Sequence, residues 1–240
     1  MPGGAASHQA GQPDVSNPHA GHRDRLRGRF LSEGLDGFDE HSALELLLFY
    51  AAPRGDMNPL AHRLIDTFGS LAGVLDAPAE ALCRVDGVGI RTAALLSMMP
   101  ALFRRYQISG RAGNLCLDTA EKAGAYLLPR FVGRRSECVY LLCLDAKSKP
   151  ICCRQLFEGS VNAAQVGARR VVETALSVNA AGVILAHNHL SGIALPSPED
   201  EETTRRLRGA LDAVGVPLID HIIVADGDYV SLAQSGLLAP

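Results

Sequence analysis

The sequence predicts an all-α N-terminal part followed by an α/β domain. From residue 21 to about 113, apolar residues recur at helical spacing, as at Leu26 and Phe30, or fill a whole helical segment, as over 42–51. From Cys138 onward, short apolar runs alternate with helical segments, which is the pattern of an α/β domain. A length of 240 residues leaves room for one large or two modest domains.

The N-terminal part begins with a segment that has no apolar periodicity. Residues 1–20 are mostly Gly, Ala, Pro, His, Gln and Ser, a composition that predicts a disordered tail. Residues 21–113 are predicted to form the helical domain. Its predicted helices are 22–31, 42–51, 58–68, 78–82 and one that follows 85–93 and runs to about Tyr106.

The C-terminal part, residues 118–240, is predicted to be the α/β domain, with 114–118 as a linker or first strand. The predicted helices are 119–128, stopped by Pro129, then 163–178 and 198–214. The predicted strands are 138–144, 151–157, 183–186, 221–225 and 229–232. The turn over 145–150 is short, so the first two strands are expected to pair antiparallel.

Composition excludes several classes of protein. The net charge of −3 gives no general attraction to nucleic acid or to an anionic membrane, and no apolar run is long enough to span a bilayer. The N-terminus lacks the basic start and apolar core of a signal peptide, so a cytoplasmic protein is expected. The six cysteines include no Cys-x-x-Cys pair, which favours reduced thiols over a cysteine zinc site.

One stretch, 183–200, carries the strongest chemical signal. An apolar run predicts a buried strand that delivers His187 and His189, whose side chains point to the same face because they are two residues apart. After a loop, Ser197 and Pro198 predict a helix start, and Asp200 is placed to turn back towards the histidines. Two histidines and a carboxylate form a plausible catalytic zinc set with a fourth position for water. Alternatively, the histidines are structural and Asp200 only favours the helix dipole.

The spacing of these residues resembles a known metalloprotease motif. His187-x-His189, seven residues, Ser197, two residues and Asp200 resemble the JAMM (MPN+) motif, and His-Asn-His-x-Ser-Gly with Pro-Ser-x-x-Asp resembles the bacterial RadC family. The resemblance implies a mixed sheet with flanking helices, similar to JAMM and cytidine-deaminase domains. It also implies one Zn²⁺ ion on His187, His189 and Asp200, and hydrolysis of a peptide or isopeptide bond in a protein or peptide substrate.

The resemblance also implies roles for residues outside the ligand set. Glu137 stands where JAMM proteins place the catalytic glutamate, at the start of a strand, and Glu158 is the alternative. Ser197 is a helix cap that would also bind the water or the tetrahedral oxyanion. Asp220 and His221 could support the ligands, although a structural role is favoured.

The sequence departs from the family pattern beside the ligands. Leu190 stands where the family usually has proline, and Ile193 where it has an acidic or polar residue; the segment 167–170 differs from the usual Pro-Arg-Glu. A leucine lacks the fixed φ of proline, so a looser loop between His189 and Ser197 is expected. No ligand position is lost.

A second motif lies in the helical part. The segment 85–93, with Gly87, Gly89 and Arg91, resembles a helix-hairpin-helix motif, in which a glycine turn exposes backbone N–H groups that can hold a DNA phosphate. The alternative is a plain helical hairpin, and residues 21–113 contain 11 arginines against 11 acidic residues. Non-specific duplex DNA is therefore a possible partner, and a non-enzymatic DNA repair or recombination accessory protein is the alternative function. A zinc deaminase is rejected because no Pro-Cys-x-x-Cys is present.

Overall fold

The computed structural model describes residues 21–52, 54–109, 115–159 and 166–238. The chain divides into two compact units, Met1–Met98 and Met99–Pro240. The predicted disordered tail, 1–20, lies outside the described residues, as do 110–114. The predicted domain boundary between 113 and 118 therefore stays a prediction.

The first unit is helical, as predicted. Its helices are α1 (His22–Glu33), α2 (Glu40–Ala51), α3 (Asn58–Phe68), α4 (Leu71–Asp76), α5 (Ala79–Leu82) and the first part of α6 (Ile90–Ser109). Helix α2 supplies the centre of the core because Leu44 and Leu48 have no exposed surface, and they pack with Leu64 of α3. The helix-hairpin-helix motif stays a prediction.

Among the described residues of this unit, α4 is a helix that the sequence analysis did not predict. It has six residues, too few to show an apolar period. Its N-terminus carries a recognisable cap, because the Ser70 side chain accepts a hydrogen bond from the N–H of Gly73 at 3.0 Å. Ser70 at the N-cap was therefore the feature of the sequence from which this helix could have been predicted.

The second unit is a mixed five-stranded sheet with flanking helices, in line with the predicted α/β domain. The strands are β1 (Glu137–Leu144), β2 (Pro150–Gly159), β3 (Gly182–Asn188), β4 (Leu218–Ala225) and β5 (Asp228–Ser231), in the order β2-β1-β3-β4-β5. Strands β3 and β4 are parallel, and the other neighbouring pairs are antiparallel. The predicted antiparallel pairing of the first two strands is confirmed.

Helices cover both faces of this sheet. Helices α8 (Ala168–Ser177) and α9 (Pro198–Asp212) pack on the face that carries Val139, Leu141 and Leu185. Helix α7 (Ala120–Leu127) packs on the face that carries Tyr140 and Leu142. The central strand β3 is buried along its whole length, which explains why its sequence is a continuous apolar run.

The predicted element boundaries differ from the structure in a few places. Of the two alternatives predicted for 114–118, a linker or a first strand, the described residues 115–118 agree with the linker, because they form no strand. Helix α7 continues into a single 3-10 turn, Leu128–Arg130, so Pro129 changes the helix type and does not simply stop it. The predicted start of α8 at 163 lies outside the described residues. Within the parts of the chain that the structure describes, no helix has both the length and the hydropathy needed to cross a membrane.

Candidate metal centre

Strand β3 delivers the two histidines to one face of the sheet. His187 lies between Val139 of β1 and Ile223 of β4 and is 1% exposed. The N–H of His189 donates to the carbonyl oxygen of Val224 at 2.8 Å, which extends the backbone ladder one residue past the strand. Both imidazoles therefore project towards the face on which α9 packs.

Helix α9 brings the carboxylate to the same place. Its N-terminus forms a capping box, in which the Ser197 hydroxyl accepts from the N–H of Asp200 at 3.2 Å. The Asp200 carboxylate returns the interaction, because Oδ2 accepts from the N–H of Ser197 at 2.8 Å and from its hydroxyl at 2.7 Å. The cap holds the buried carboxylate at the end of the helix that faces β3.

The three side chains converge on one point. His187 Nε2 lies 2.9 Å from His189 Nε2 and 3.0 Å from Asp200 Oδ1. His189 Nε2 lies 3.1 Å from Asp200 Oδ2. One potential ligand atom of each residue lies within 4.8 Å of the others, so the group could hold a metal ion.

The contact that His189 makes on the side away from the cluster assigns a role to its Nδ1. His189 Nδ1 lies 3.1 Å from the carbonyl oxygen of Ile193. A carbonyl oxygen only accepts hydrogen bonds, so Nδ1 is the donor nitrogen of this ring and Nε2 is the nitrogen that could bind a metal. Nε2 faces an acceptor carboxylate and a second imidazole nitrogen. Such a set is stabilised by a cation placed between its members, so the residues fit a divalent metal.

Asp200 is ionised at neutral pH. Burial opposes its ionisation, but the hydrogen bond and charge of His187 and the donors of Ser197 outweigh burial. These interactions hold the pKa of the Asp200 carboxyl below its usual range. The carboxylate is therefore available as an anionic ligand.

Two further residues lie behind His187. His187 Nδ1 lies 2.8 Å from Nε2 of His221, which has no exposed surface. His221 Nδ1 lies 2.6 Å from the Thr204 hydroxyl, which donates to the backbone carbonyl of Asp200 at 2.6 Å. Burial, and then the nearby His187, keep the pKa of His221 well below its usual value, so this ring is neutral.

Glu137 lies at the start of β1 and is half-buried. The antiparallel register pairs Val139 with His187, and its continuation places Glu137 opposite His189. Glu137 shares the sheet face of Val139, which is the face of the cluster. The register therefore places Glu137 on the same face of the sheet as the cluster, and its role stays a prediction.

The alternative carboxylate, Glu158, lies elsewhere. It pairs with Cys138, so its side chain points to the opposite face of the sheet. There its carboxylate accepts from Arg134 at 3.0 Å and from the Ser136 hydroxyl at 3.1 Å. Glu158 is thus part of a separate polar network and is not directed at the cluster.

The side chains of Asp220 and His221 lie on opposite faces of the sheet, because the two residues are consecutive in β4. The Asp220 carboxylate accepts from the Ser231 hydroxyl at 2.6 Å and from the N–H of Ala233 at 3.0 Å, which joins β4 to the segment after β5. Burial raises its pKa. Asp220 therefore has a structural role, whereas His221 contacts the candidate ligand His187.

The loop between His189 and α9 exposes apolar side chains. Leu190, Ile193 and Leu195 are all more than half exposed, at 53%, 57% and 64%. Gly192 adopts a φ of 77°, and a Cβ added there would lie 2.7 Å from Asp226 Oδ2. The loop therefore has a backbone turn that requires glycine, even though Leu190 lacks the restriction of proline.

The predicted nucleic-acid residues lie in the first unit, in the connection between α5 and α6. Gly87 has a φ of 90°, which favours glycine, and Gly89 directly precedes α6. Gly87, Gly89 and Arg91 are exposed, while Val88 between the glycines is buried. The turn is thus anchored by Val88.

Two residues near the candidate metal ligands, Thr204 and Asn188, were not identified as site residues from the sequence. Asn188 Oδ1 accepts from the N–H of Cys138 at 2.7 Å, and its Nδ2 donates to the carbonyl of Ser136 at 3.2 Å. These two bonds hold the backbone on either side of Glu137. The position of Asn188 between the two histidines was the available signal, because its side chain must point to the other face of β3.

Comparisons with known proteins identify a matching family model and several relatives. A family model described as the RadC-like JAB domain matches residues 117–237. A UPF0758 protein of Alcanivorax borkumensis is 38% identical over 89% of this chain and 95% of its own length. UPF0758 proteins of Ruegeria pomeroyi and Rhodobacter capsulatus are 35% and 37% identical, over 90% and 89% of this chain and 97% and 100% of their own lengths.

Proposed function

Because this chain belongs to the RadC family, we propose that it is a zinc-dependent metallohydrolase that cleaves a peptide or isopeptide bond. The JAB domain is a hydrolase-like fold, and the UPF0758 names of the relatives specify no reaction. The observation that carries the proposal is the convergence of His187, His189 and Asp200 within 4.8 Å. Hydrolysis of an amide in a protein or peptide is the reaction that this ligand set serves in JAMM-type enzymes.

His187, His189 and Asp200 would hold the ion. Three protein ligands leave a position for water, as in catalytic zinc sites. When bound, zinc supplies a Lewis acid that polarises a carbonyl and lowers the pKa of water to about 7. The chain's own residues must then move the protons.

Glu137 is the proposed general base and acid. Its carboxylate takes a proton from the attacking water and delivers it to the nitrogen of the leaving amine. The register that places Glu137 opposite His189, on the face of the cluster, supports this role. The hydrogen bonds of the Asn188 side chain to Ser136 and Cys138, which we call the Asn188 clamp, hold this segment of backbone in place.

Ser197 is proposed to stabilise the oxyanion of the tetrahedral intermediate. Its hydroxyl has one proton, which is directed to Asp200 Oδ2 at 2.7 Å. To donate to an oxyanion the hydroxyl must rotate away from Asp200. The carboxylate keeps the N–H of Ser197 as a donor at 2.8 Å, so the rotation leaves the helix cap partly intact.

The test compares Glu137→Gln with the wild type and with Glu158→Gln. The control makes the same chemical change on the opposite face of the sheet, outside the cluster. Zinc content is measured on the purified proteins, and hydrolysis is measured with a library of quenched fluorescent peptides. We expect all three proteins to bind one zinc ion, and Glu137→Gln alone to lose about 100-fold or more in rate. Wild-type activity in Glu137→Gln would remove Glu137 from the mechanism.

The ligand set needs its own test. His187→Ala should abolish stoichiometric zinc binding and hydrolysis together, because it removes one of three ligands. Zinc-free wild-type protein, prepared with a chelator, should regain activity when zinc is added. Full hydrolysis by His187→Ala, or by the chelated protein, would contradict the proposal.

A second candidate function is duplex DNA contact by a non-enzymatic repair or recombination accessory protein. It is favoured by the exposed glycine turn at Gly87 and Gly89, which directly precedes α6 with Arg91 in its first turn. N–H groups at a helix start, together with an arginine, can hold a phosphate without reading base sequence.

Salt dependence tests this candidate on the full chain. If Arg91 neutralises a phosphate, Arg91→Gln should weaken duplex affinity and reduce the slope of log affinity against log salt by about 1. Arg105→Gln, at an exposed arginine near the C-terminal end of α6, is the matched control. A flat salt dependence of the wild-type protein would exclude phosphate contact.

A further inference from the structure

A cavity of about 450 Å³ opens in the helical unit, where α1 begins. Its wall includes the first turn of α1 with Arg23, then Arg27 one turn later, and Phe49 of α2. We propose that this cavity binds a phosphate group, which is held by the guanidinium of Arg23 and by the backbone N–H groups at the start of α1. The residues of the cavity belong to the first unit, so the proposal does not depend on the zinc chemistry of the second.

The guanidinium of Arg23 is held in a fixed orientation. Its Nη2 donates to the carbonyl oxygen of Gly55 at 2.6 Å. Its central carbon lies 4.5 Å from the centre of the Phe49 ring, which is buried. A hydrogen bond at one edge and an aromatic ring against one face leave this long side chain little freedom. A ligand that binds to it therefore has little additional side-chain ordering to impose.

The other terminal nitrogen of Arg23 needs an acceptor. Nη1 is buried and has no hydrogen-bond partner among the residues that the structure describes. A guanidinium is always charged and has only donors, so burying one of its nitrogens without a partner is unfavourable. Most buried donors in proteins have a partner, and one without a partner needs a physical explanation, such as a bound ion. Because Arg23 lines the cavity, an anion in the cavity supplies that explanation.

The start of α1 adds backbone donors to the same cavity. Gly21 is the N-cap, and no side chain of the described residues caps this helix. The N–H of Arg25 donates to the carbonyl oxygen of Gly21 at 2.9 Å, which is the first bond of the helix. The N–H groups of residues 22–24 come before it and have no acceptor within the helix. Residues 21–24 all line the cavity, and N–H groups at a helix start favour an anion.

Two carboxylates also line the cavity, so its two arginines are balanced by two acids. Asp24 Oδ1 accepts from Arg27 Nη1 at 3.3 Å, and Asp56 Oδ1 accepts from the N–H of Asn58 at 3.0 Å. Both carboxylates therefore have a donor partner, whereas Nη1 of Arg23 has no acceptor among the described residues. Binding thus depends on local donors and not on a general positive potential, and the ligand must offer several acceptor oxygens.

A phosphate monoester fits these donors better than a carboxylate does. It carries about two negative charges and three free acceptor oxygens, so it can bond to Arg23 Nη1 and to more than one backbone N–H at once. A carboxylate offers only two oxygens. The volume of the cavity lies within the range of small-molecule sites, so the phosphate is expected to belong to a larger molecule. Either a small phosphate ester or the phosphorylated end of a nucleic-acid strand can present this group.

The first test measures ligand binding by the full chain in phosphate-free buffer. Adenosine monophosphate is compared with adenosine, and a short thymidine strand with a 5′ phosphate is compared with the same strand ending in a 5′ hydroxyl. We expect the phosphorylated member of at least one pair to bind about 10-fold tighter or more, because charge-assisted hydrogen bonds are gained. A preference within the first pair alone would assign the site to small phosphate esters, and one within the second pair alone to strand ends. Equal affinity within both pairs would overturn the proposal.

The second test locates the site. Arg23→Gln should weaken binding of the preferred phosphorylated ligand by about 10-fold or more, because it removes the charged donor. Arg63→Gln, at an exposed arginine of α3 that does not line the cavity, should match the wild type. Circular dichroism checks that both variants are folded. Unchanged affinity in a folded Arg23→Gln variant would contradict the proposal.

A third measurement needs no variant, since Arg23→Gln also loses the contacts with Gly55 and Phe49. Inorganic phosphate is added to the ¹⁵N-labelled wild-type protein, and the backbone amide resonances are followed by NMR. We expect the amides of residues 22–24 to shift in a saturable way, while the amide of Arg63 stays in place. Amides of 22–24 that do not respond to phosphate would overturn the proposal, whether or not the protein binds zinc.

Discussion

The side chain of Asn188 holds the start of β1 against the end of β3, and its removal should loosen the segment that carries Glu137. Asn188 is 6% exposed and bonds to Cys138, which has no exposed surface. The perturbation is Asn188→Ala, which removes both the acceptor for the Cys138 N–H and the donor to the Ser136 carbonyl. Asn188→Asp is the matched variant because its retained oxygen can still accept from Cys138.

The magnitude follows from the two lost hydrogen bonds. A buried N–H left without an acceptor costs about 1–3 kcal/mol, and the bond to the half-buried Ser136 contributes about 0.5–1.5 kcal/mol. A local loss of about 2 kcal/mol corresponds to roughly 30-fold faster opening of this strand end. If Glu137 is the base, its displacement should also lower the rate of hydrolysis by about 10- to 100-fold.

Hydrogen exchange is the suitable assay because it reports on one amide. A global unfolding free energy is less informative in a chain of two compact units, which need not unfold in one step. We expect the Cys138 amide to exchange faster in Asn188→Ala than in Asn188→Asp, which keeps the acceptor for the Cys138 N–H but has no donor for the Ser136 carbonyl. The amide of Leu142, in the middle of β1, is the internal reference.

One result would refute this reasoning. If the Cys138 amide keeps its wild-type protection in Asn188→Ala while zinc binding is unchanged, the side chain does not hold the strand end. A loss of hydrolysis in that variant would then need another cause, and Glu137 would lose the support that this clamp provides.

Three further outcomes are expected. Ser197→Ala should lower stability by about 1 kcal/mol through loss of the helix cap, and Ser197→Gly by only a few tenths. An equal loss of hydrolysis in both variants would assign that loss to the hydroxyl, and unchanged hydrolysis would exclude it from the mechanism. Gly192→Ala places a Cβ at a φ of 77° and 2.7 Å from Asp226 Oδ2, which strains the loop after His189. The variant should therefore bind zinc more weakly in competition with a chelator. Wild-type zinc affinity would show that the loop does not support His189. Burial raises the pKa of Cys143 to about 12, so its thiol stays protonated at mildly alkaline pH, whereas Cys83 is exposed. Mass spectrometry after alkylation of native protein should find Cys83 modified before Cys143, and the reverse order would contradict the burial of β1.

Much of the fold was predictable because it rests on local patterns. Helix α3 begins at Asn58 and ends at Phe68, as its N-terminal proline and the following glycine predict. The capping box of Ser197 and Asp200 was visible as a short motif, and the mixed sheet with flanking helices is confirmed. Helix α4 was missed because six residues show no period.

The supporting residues of the candidate site were not predictable in the same way. Thr204 is one of two consecutive threonines in α9, and its sequence context does not distinguish it from Thr203. His221 was favoured as structural, and its contact with His187 of another strand is not visible in the local sequence. For Asn188, alternation along β3 predicts only the face to which its side chain points. The sequence did not identify its partners, because they are on β1.

The sequence by itself determined the order of local elements and the donor atoms that one strand, one loop and one helix start can present. Alternation along β3 and the cap at Ser197 depend on residues within a few positions of each other, so a linear pattern contains them. Only the tertiary structure decided that β1 pairs with β3 in the register that sets Val139 opposite His187, and that β4 brings His221 against His187. Strand order and register depend on the packing of the whole sheet between its helices, which no local propensity specifies.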